Sequence, residues 1–224
     1  MDLSDISINE AKEIQSRLSQ KLVIGGKPDK INNVAGVDVA YINKENIALC
    51  VVVIFSYPAL ELLSVNYNHD TVTYPYIPGL LYLREGPIIL KAFENIKIQP
   101  DIVIFDGHGI AHPRRFGLAS HIGLNLNLPA IGCAKSFLYG SYEEPAKKKG
   151  SSSTLYDEYN KPAGVVLRSR ENVKPVFISP GHLVGIDESV EIVMNCLARY
   201  RIPEPLRFAD IEVNRYKKKL LMNF

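Results

Sequence analysis

Two aspartates interrupt apolar runs that are otherwise typical of buried strands. Asp38 lies inside the run 34–40, and Asp106 ends the run 101–106 just before Gly107. A carboxylate inside a core strand costs free energy unless something neutralises it. If the two strands are neighbours, the acids repel each other, and Mg²⁺ or Mn²⁺ relieves that repulsion by binding hard oxygen ligands. A second interpretation stays open, in which Asp106 caps the turn and Asp38 pairs with a lysine or arginine.

Three more charged residues stand where strands end or helices form. Glu85 is placed at a predicted helix start, where an acid is also favoured by the helix dipole alone. Asp210 falls in the last predicted helix and is equally compatible with an exposed helical acid. Lys135 follows a short apolar strand, where it is either a surface lysine or a cation able to offset charge on a phosphate.

The histidine-rich segment 107–117 is better explained by anion binding than by zinc. The spacing of His108, His112 and His121 matches no common zinc pattern. Glycines in this segment allow a close backbone approach, and Arg114 and Arg115 at the N-terminus of a predicted helix favour phosphate. The segment lacks the Gly-Lys-Ser/Thr ending of a P-loop, so nucleoside triphosphate hydrolysis is not indicated.

A proline-bounded loop at residues 74–79 is the second unusual segment. Pro75 and Pro78 fix the backbone on both sides of Tyr76 and Ile77. A rigid aromatic or apolar wedge of this kind can separate stacked bases. The alternative is a stiff surface loop whose tyrosine packs on the core.

Composition excludes several classes of protein. The chain has 224 residues, a net charge of +2, 46% hydrophobic and 22% charged residues, which argues against disorder. The longest apolar run, 47–55, is too short to cross a bilayer. Residues 1–5 are acidic and unlike a signal peptide, and three scattered cysteines argue against disulfides, so we expect a cytoplasmic protein. The lysine runs 147–149 and 217–219 are either solvated charge or local contacts for a polyanion.

The candidate site residues lie on predicted elements whose order indicates a mixed α/β fold: an antiparallel meander is followed by parallel strands, with helices on the faces of the sheet. Ser7 and Glu10 form a predicted capping box for the first helix, and Pro87 is expected in the first turn of the second. The segment 140–162 is expected to be a long polar loop. The predicted strands are 34–42, 47–55, 60–67, 101–106, 130–135, 163–168 and 175–179, and the predicted helices are 4–20, 85–96, 114–126, 187–200 and 207–221.

Taken in order along the chain, several short motifs together resemble the endonuclease V family. Each motif alone is weakly specific, but their joint occurrence over most of the chain is highly specific. The motifs are residues 36–41, 75–81, 84–87, 106–117, 133–136, 179–182 and 201–207.

The resemblance implies an RNase H-like fold in a single domain, 1–224. In that fold the first and fourth strands are neighbours, so Asp38 and Asp106 face each other across about 4.8 Å. It implies that Asp38, Asp106 and Glu85 bind Mg²⁺, for which Mn²⁺ can substitute, and that Lys135 and Asp210 complete the catalytic set. It also implies a pocket for an extruded deaminated base, built from Tyr76, Ile77, Pro78, Gly79, Leu81, Gly107, Gly109 and His112.

The implied reaction is hydrolysis of the second phosphodiester bond 3′ to deoxyinosine, leaving 3′-hydroxyl and 5′-phosphate ends. The expected partner is DNA containing deoxyinosine, with no membrane and no obligate protein partner. Two alternatives stay open: an endoribonuclease acting on inosine in RNA, and a non-catalytic binder of deaminated nucleic acid.

Overall fold

A mixed eight-stranded sheet forms the centre of the computed structural model, which describes residues 6–222. The prediction for residues 1–5 and the first positions of the predicted N-terminal helix lie outside this part. The strands are β1 (Asn33–Ile42), β2 (Ile47–Ser56), β3 (Leu62–Thr71), β4 (Ile102–Phe105), β5 (Ala130–Ala134), β6 (Ser152–Tyr156), β7 (Pro162–Leu167) and β8 (Val176–His182).

The strands follow the order β3-β2-β1-β4-β5-β8-β7-β6 across the sheet. The β3-β2-β1 meander is antiparallel, whereas β4 pairs in parallel with both β1 and β5, as predicted. In the parallel pair, Val37 of β1 lies opposite Phe105 of β4. The next residues, Asp38 and Asp106, therefore stand at the same place in neighbouring strands.

Helices cover both faces of the sheet because alternate strand residues point to opposite sides. On β2, Cys50 and Val52 belong to one hydrophobic core, while Val51 and Val53 belong to the other. The helices are α1 (Ile8–Ser19), α2 (Leu81–Glu94), α3 (Leu118–Leu126), α4 (Ile186–Asn195) and α5 (Glu204–Leu221).

The two faces carry different helices. Leu83 of α2 and Ile122 of α3 pack in the first core, and Ile192 of α4 and Leu206 of α5 pack in the second. The predicted capping box at the start of α1 is confirmed, with Ser7 as its N-cap. Because α2 and α5 cover opposite faces of the sheet, their residues approach the junction of β1 and β4 from opposite sides.

Helix boundaries differ from the predictions in α2, α3, α4 and α5, and α5 begins at Glu204 rather than at residue 207. Helix α2 begins at Leu81, with Tyr82 and Leu83 buried in its first turn, so Pro87 lies in the helix interior and removes one N–H donor from it. Helix α3 begins only at Leu118, because the Gly117 N–H donates to the Gly109 carbonyl and holds the preceding residues in a turn. Helix α4 ends at Asn195 rather than near residue 200.

The prediction of a long loop over residues 140–162 was wrong in part, because this segment contains strand β6. This strand pairs antiparallel with β7 and forms one edge of the sheet. Its Ser-Ser-Thr beginning is polar because an edge strand is covered less completely than a central one, so the sequence shows no apolar alternation there.

Two smaller expectations concern cysteines and membranes. Cys50, Cys133 and Cys196 are buried and unpaired, which confirms the expected lack of disulfides. Among residues 6–222 there is no helix with both the length and the apolar character that a membrane crossing requires.

Candidate active site

Three of the predicted acids line one small cavity at the β1–β4 junction. Asp38 comes from β1, Asp106 follows β4, and Glu85 reaches in from α2. The cavity measures about 10 Å³, which is close to the space that one water molecule needs. Asp210 of α5 approaches from the opposite face, near enough for its charge to act on Asp38. The fold thus brings together all four acids that the sequence singled out.

The position of Asp210 depends on Gly36, two residues before Asp38. The start of α5 lies directly against this glycine, so a Cβ there would stand 2.3 Å from the carbonyl carbon of Pro205. Only a residue without a side chain lets α5 approach β1 this closely. The helix can therefore place Asp210 beside the acids on the strands.

Lys135 is also part of this cluster. Its Nζ lies 2.5 Å from Asp106 Oδ2, and the lysine side chain remains 42% exposed. Partial burial lowers the pKa of Lys135, but the neighbouring carboxylates, Asp106 foremost, outweigh that effect and leave it raised. Arg201 holds the Lys135 backbone by donating to its carbonyl oxygen at 2.6 Å. The lysine is thus a fixed cation at the rim of the acid cavity.

Burial and mutual repulsion strongly perturb the acids. Burial, followed by the charge of Asp106, raises the pKa of Asp38 to about 7. Burial also raises the pKa of Glu85 to about 8, although the Tyr41 hydroxyl donates a hydrogen bond that opposes the shift. Such shifts mark carboxylates that need a cation or a proton.

A larger cavity of about 360 Å³ opens beside the acids. Its lining includes Asp106 and Lys135, and its size falls in the range usual for small-molecule pockets. The sequence did not predict Gln15, Ser136, Phe137 and Leu138 as lining residues. The predicted residues that line it are Tyr76, Gly79, Leu81, Gly107 and His112.

The Gly79 carbonyl oxygen is the point where three segments of the pocket wall meet. It accepts hydrogen bonds from Gln15 Nε2 at 3.1 Å and Arg114 Nη2 at 2.8 Å, and it contacts His112 Nε2 at 3.0 Å. The Arg114 backbone N–H donates to His112 Nδ1, so Nε2 carries the ring proton. His112 and Arg114 therefore tie the proline-bounded loop to the turn after β4. No local signal could have identified Gln15, whose partners lie far away in the sequence.

The remaining predicted pocket residues lie elsewhere. Ile77 packs against the hydrophobic core, and Pro78 is exposed without lining the cavity. Gly109 is buried, and its N–H donates to Ser179 Oγ at 2.8 Å. A Cβ on Gly109 would stand 2.0 Å from the Pro180 carbonyl oxygen, so this glycine serves close backbone packing. Tyr76, by contrast, is 67% exposed at the pocket mouth.

The histidines do not form a zinc site. His108 Nε2 contacts the Ser136 carbonyl, and the His121 ring packs against Tyr82. Burial lowers the pKa of His108, His112 and His121 to about 4. Across residues 6–222, no three His, Cys, Asp or Glu side chains already converge in a ligating arrangement.

The acid cavity nevertheless fits a hard divalent cation. Its lining offers carboxylate oxygens from Asp38, Glu85 and Asp106, which are ligands that Mg²⁺ and Mn²⁺ prefer. Burial, followed by repulsion between the carboxylates, raises the pKa of Asp38 and Glu85, and Lys135 opposes this shift only in part at Asp38.

Comparison with known proteins agrees with this geometry. The family model for Endonuclease V matches residues 16–211. Endonuclease V of Dictyoglomus thermophilum is 46% identical over 216 residues, 96% of this chain and 92% of the relative. This chain belongs to the endonuclease V family. Family membership makes the protein a nuclease, a hydrolase of phosphodiester bonds in nucleic acid.

Solved endonuclease V structures share the fold described above. The Streptomyces avermitilis protein has a TM-score of 0.90 at 36% identity, covering 96% of this chain and 95% of its own. Endonuclease V of Ciona intestinalis, in complex with a 24mer DNA containing an inosine followed by a ribo-adenosine, has a TM-score of 0.86 at 28% identity, covering 95% and 98%. The expected RNase H-like mixed sheet is therefore the fold of this endonuclease V family member.

Proposed function

We propose that this protein is a metal-dependent repair endonuclease, a single domain that cleaves the second phosphodiester bond 3′ to deoxyinosine. The products carry 3′-hydroxyl and 5′-phosphate ends. One observation carries the proposal: Asp106 lines both the acid cavity and the larger pocket. A base held in the pocket thus brings its own strand close to the acids. The Ciona protein, bound to DNA containing inosine, supports this substrate class.

Asp38, Asp106 and Glu85 would hold Mg²⁺, or Mn²⁺ in its place. When bound, the ion supplies an activated water and positive charge for the leaving oxygen. The carboxylates orient it because they enter from two strands and a helix, which the sheet holds in a fixed relation.

Lys135 and Asp210 act at the rim of the same site. The Lys135 ammonium is exposed enough to reach a phosphate and charged enough to offset its developing negative charge. Asp210 adds a carboxylate from the α5 side of Asp38. The set therefore combines metal ligands with one cation for the substrate.

Backbone groups provide the discrimination between hypoxanthine and adenine. The keto oxygen of hypoxanthine accepts a hydrogen bond where the amino group of adenine donates one. Of the two glycines after β4 that were predicted to build the pocket, Gly107 lines it and Gly109 does not, and the N–H groups of both already have partners. Leu81 begins α2, where N–H groups lack intrahelical acceptors, so its amide suits the keto oxygen. An amino group there would face a donor, which costs binding energy.

Tyr76 is the proposed wedge. Its exposed ring stands at the pocket mouth on a loop that Pro75 and Pro78 stiffen and that Gly79 anchors. A ring held in this way can fill the gap that an extruded base leaves in a duplex.

The test is a gel assay with an end-labelled deoxyinosine duplex, its adenine counterpart and a matched inosine RNA, each with Mg²⁺ or EDTA. We expect Mg²⁺-dependent nicking at the second bond 3′ to the lesion and none of the adenine control. Asp38→Asn and Asp106→Asn should abolish nicking yet keep lesion binding. Cleavage in EDTA would contradict the metal mechanism, and binding without cleavage by the unaltered protein would make it a sensor.

Inosine-containing RNA is a second candidate substrate. The Ciona complex carries a ribonucleotide directly after the inosine, so that relative accepts a ribose at this place. Cleavage of the RNA alone in the same assay would assign the protein to RNA metabolism with the same residues in the same roles.

A further inference from the structure

Tyr41 contacts Glu85, one of the proposed metal ligands, although the proposed mechanism gives the tyrosine no role. It lies on β1, three residues after Asp38, and its hydroxyl donates to Glu85 Oε1 at 2.9 Å. No described residue donates a hydrogen bond to the other oxygen, Oε2, and Glu85 lines the cavity that Asp38 and Asp106 share. The tyrosine thus occupies one face of the carboxylate and leaves the other for the cavity.

A second contact fixes the tyrosine itself. The Arg84 guanidinium lies 4.4 Å from the centre of the Tyr41 ring, in a cation–π arrangement. Arg84 Nη1 also donates to the Tyr74 carbonyl at 2.8 Å, which holds the guanidinium in place. The ring is half-buried between β1 and α2. Its hydroxyl therefore has a defined direction.

We propose that Tyr41 is a positioning residue for Glu85: the tyrosine hydroxyl orients the Glu85 carboxylate so that Oε2 faces the metal. The inference rests on the proposed function, since it assigns Tyr41 a role toward the ion that Glu85 would bind. The physical reason is that a glutamate rotates about three side-chain bonds, and a hydrogen bond to one oxygen fixes the direction of the other. Partners that orient ligands in this way typically change metal affinity by 10- to 100-fold when removed.

Tyr41→Phe tests this role because it removes only the hydroxyl and leaves the ring beneath Arg84. The first measurement is Mn²⁺ binding to the protein alone, followed by the electron paramagnetic resonance signal of free Mn²⁺. We expect about tenfold weaker binding. In cleavage assays the half-saturating Mn²⁺ concentration should rise by a similar factor, while the rate at saturating Mn²⁺ stays near that of the unaltered protein.

Tyr67→Phe is a matched control. Tyr67 of β3 donates to Glu212 of α5 at 2.5 Å, so it is also a strand tyrosine bonded to a helix glutamate, but outside the site. This variant should bind Mn²⁺ as the unaltered protein does. Equal Mn²⁺ affinity in Tyr41→Phe and Tyr67→Phe would overturn the proposal.

A double-mutant cycle separates positioning from a general loss of stability. In a Glu85→Gln background, Tyr41→Phe should cause no further loss of Mn²⁺ affinity, because the carboxylate it orients is gone. A full tenfold loss in that background would overturn the proposal. If the unaltered protein neither binds Mn²⁺ nor cleaves, the proposed function fails together with this inference. If it does both and Tyr41→Phe changes nothing, only the inference fails.

Discussion

Replacing Asp38 with asparagine should stabilise the metal-free protein. The fold raises the pKa of Asp38 from 3.8 to about 7, through burial first and the charge of Asp106 second. Each pKa unit corresponds to about 1.36 kcal/mol, so ionising this carboxyl in the fold costs on the order of 4 kcal/mol. The folded protein keeps the proton between these pH values, so its stability falls as pH rises from about 4 to 7. Asp38→Asn removes that loss.

Urea unfolding in EDTA at several pH values measures this effect. The variant should match the unaltered protein near pH 4 and exceed it by up to about 4 kcal/mol at pH 8. Mg²⁺ should then stabilise the unaltered protein more than the variant and narrow the gap. A gap that does not grow with pH, or an Asp38→Asn protein less stable at pH 8, would refute the reasoning.

Asp157 offers a control of opposite sign. Its burial raises the pKa, but backbone hydrogen bonds from Lys161 and Tyr159 and the Arg115 ion pair at 2.6 Å outweigh that effect and lower it. The fold therefore favours the ionised form, and Asp157→Asn should destabilise the protein at pH 8. Asp38 and Asp157 are thus expected to respond oppositely to the same substitution.

Three further predictions concern packing, acid stability and base extrusion. Gly36→Ala places a Cβ 2.3 Å from the Pro205 carbonyl carbon, so α5 must shift. Thermal unfolding should show that the protein loses about 1–3 kcal/mol of stability, and the gel assay should show slower cleavage. An unchanged melting temperature would contradict this packing. Burial holds the pKa of His121 at about 4 against 6.5 when unfolded, so it contributes stability above pH 6.5 that is lost as pH falls toward 4. His121→Gln should therefore show a smaller drop in unfolding free energy between pH 7 and pH 4; an equal drop would exclude this role. Tyr76→Ala should slow cleavage of a lesion in duplex more than in single strands, whereas equal losses would argue against a wedge.

The central elements of the fold were predictable because their signals are local. Apolar runs with short links marked the β1–β3 meander, and the serine–glutamate pair marked the start of α1. Strand β6 was missed because a polar edge strand has no apolar alternation. The start of α2 was misplaced because Pro87 was expected in the first turn, whereas the buried residues Tyr82 and Leu83 extend the helix to Leu81.

The site residues likewise divide into those that the sequence could identify and those that it could not. Asp38 and Asp106 could be identified from sequence because a carboxylate in an apolar strand conflicts with its surroundings, and the structure shows that conflict as raised pKa at Asp38. Gln15 and Tyr41 show no such conflict. A buried glutamine on a helix and a tyrosine on a strand are ordinary in sequence, and their importance arises only from Gly79 and Glu85, which the fold brings to them.

The sequence therefore identifies residues whose own placement is unfavourable, such as a carboxylate in an apolar strand. Residues that only position such groups are identified from the structure. Lys135 lies between these groups: the sequence identifies it as a candidate cation, but its ion pair with Asp106 forms because the parallel strands β4 and β5 end at the same edge of the sheet. Since the lysine offsets only part of the negative charge, we expect the metal-free protein to be less stable than the metal-bound protein. A bound cation would offset the free-energy cost of keeping these carboxylates ionised. Neutralising Asp38 should therefore raise the stability of the metal-free protein and lower its affinity for the metal.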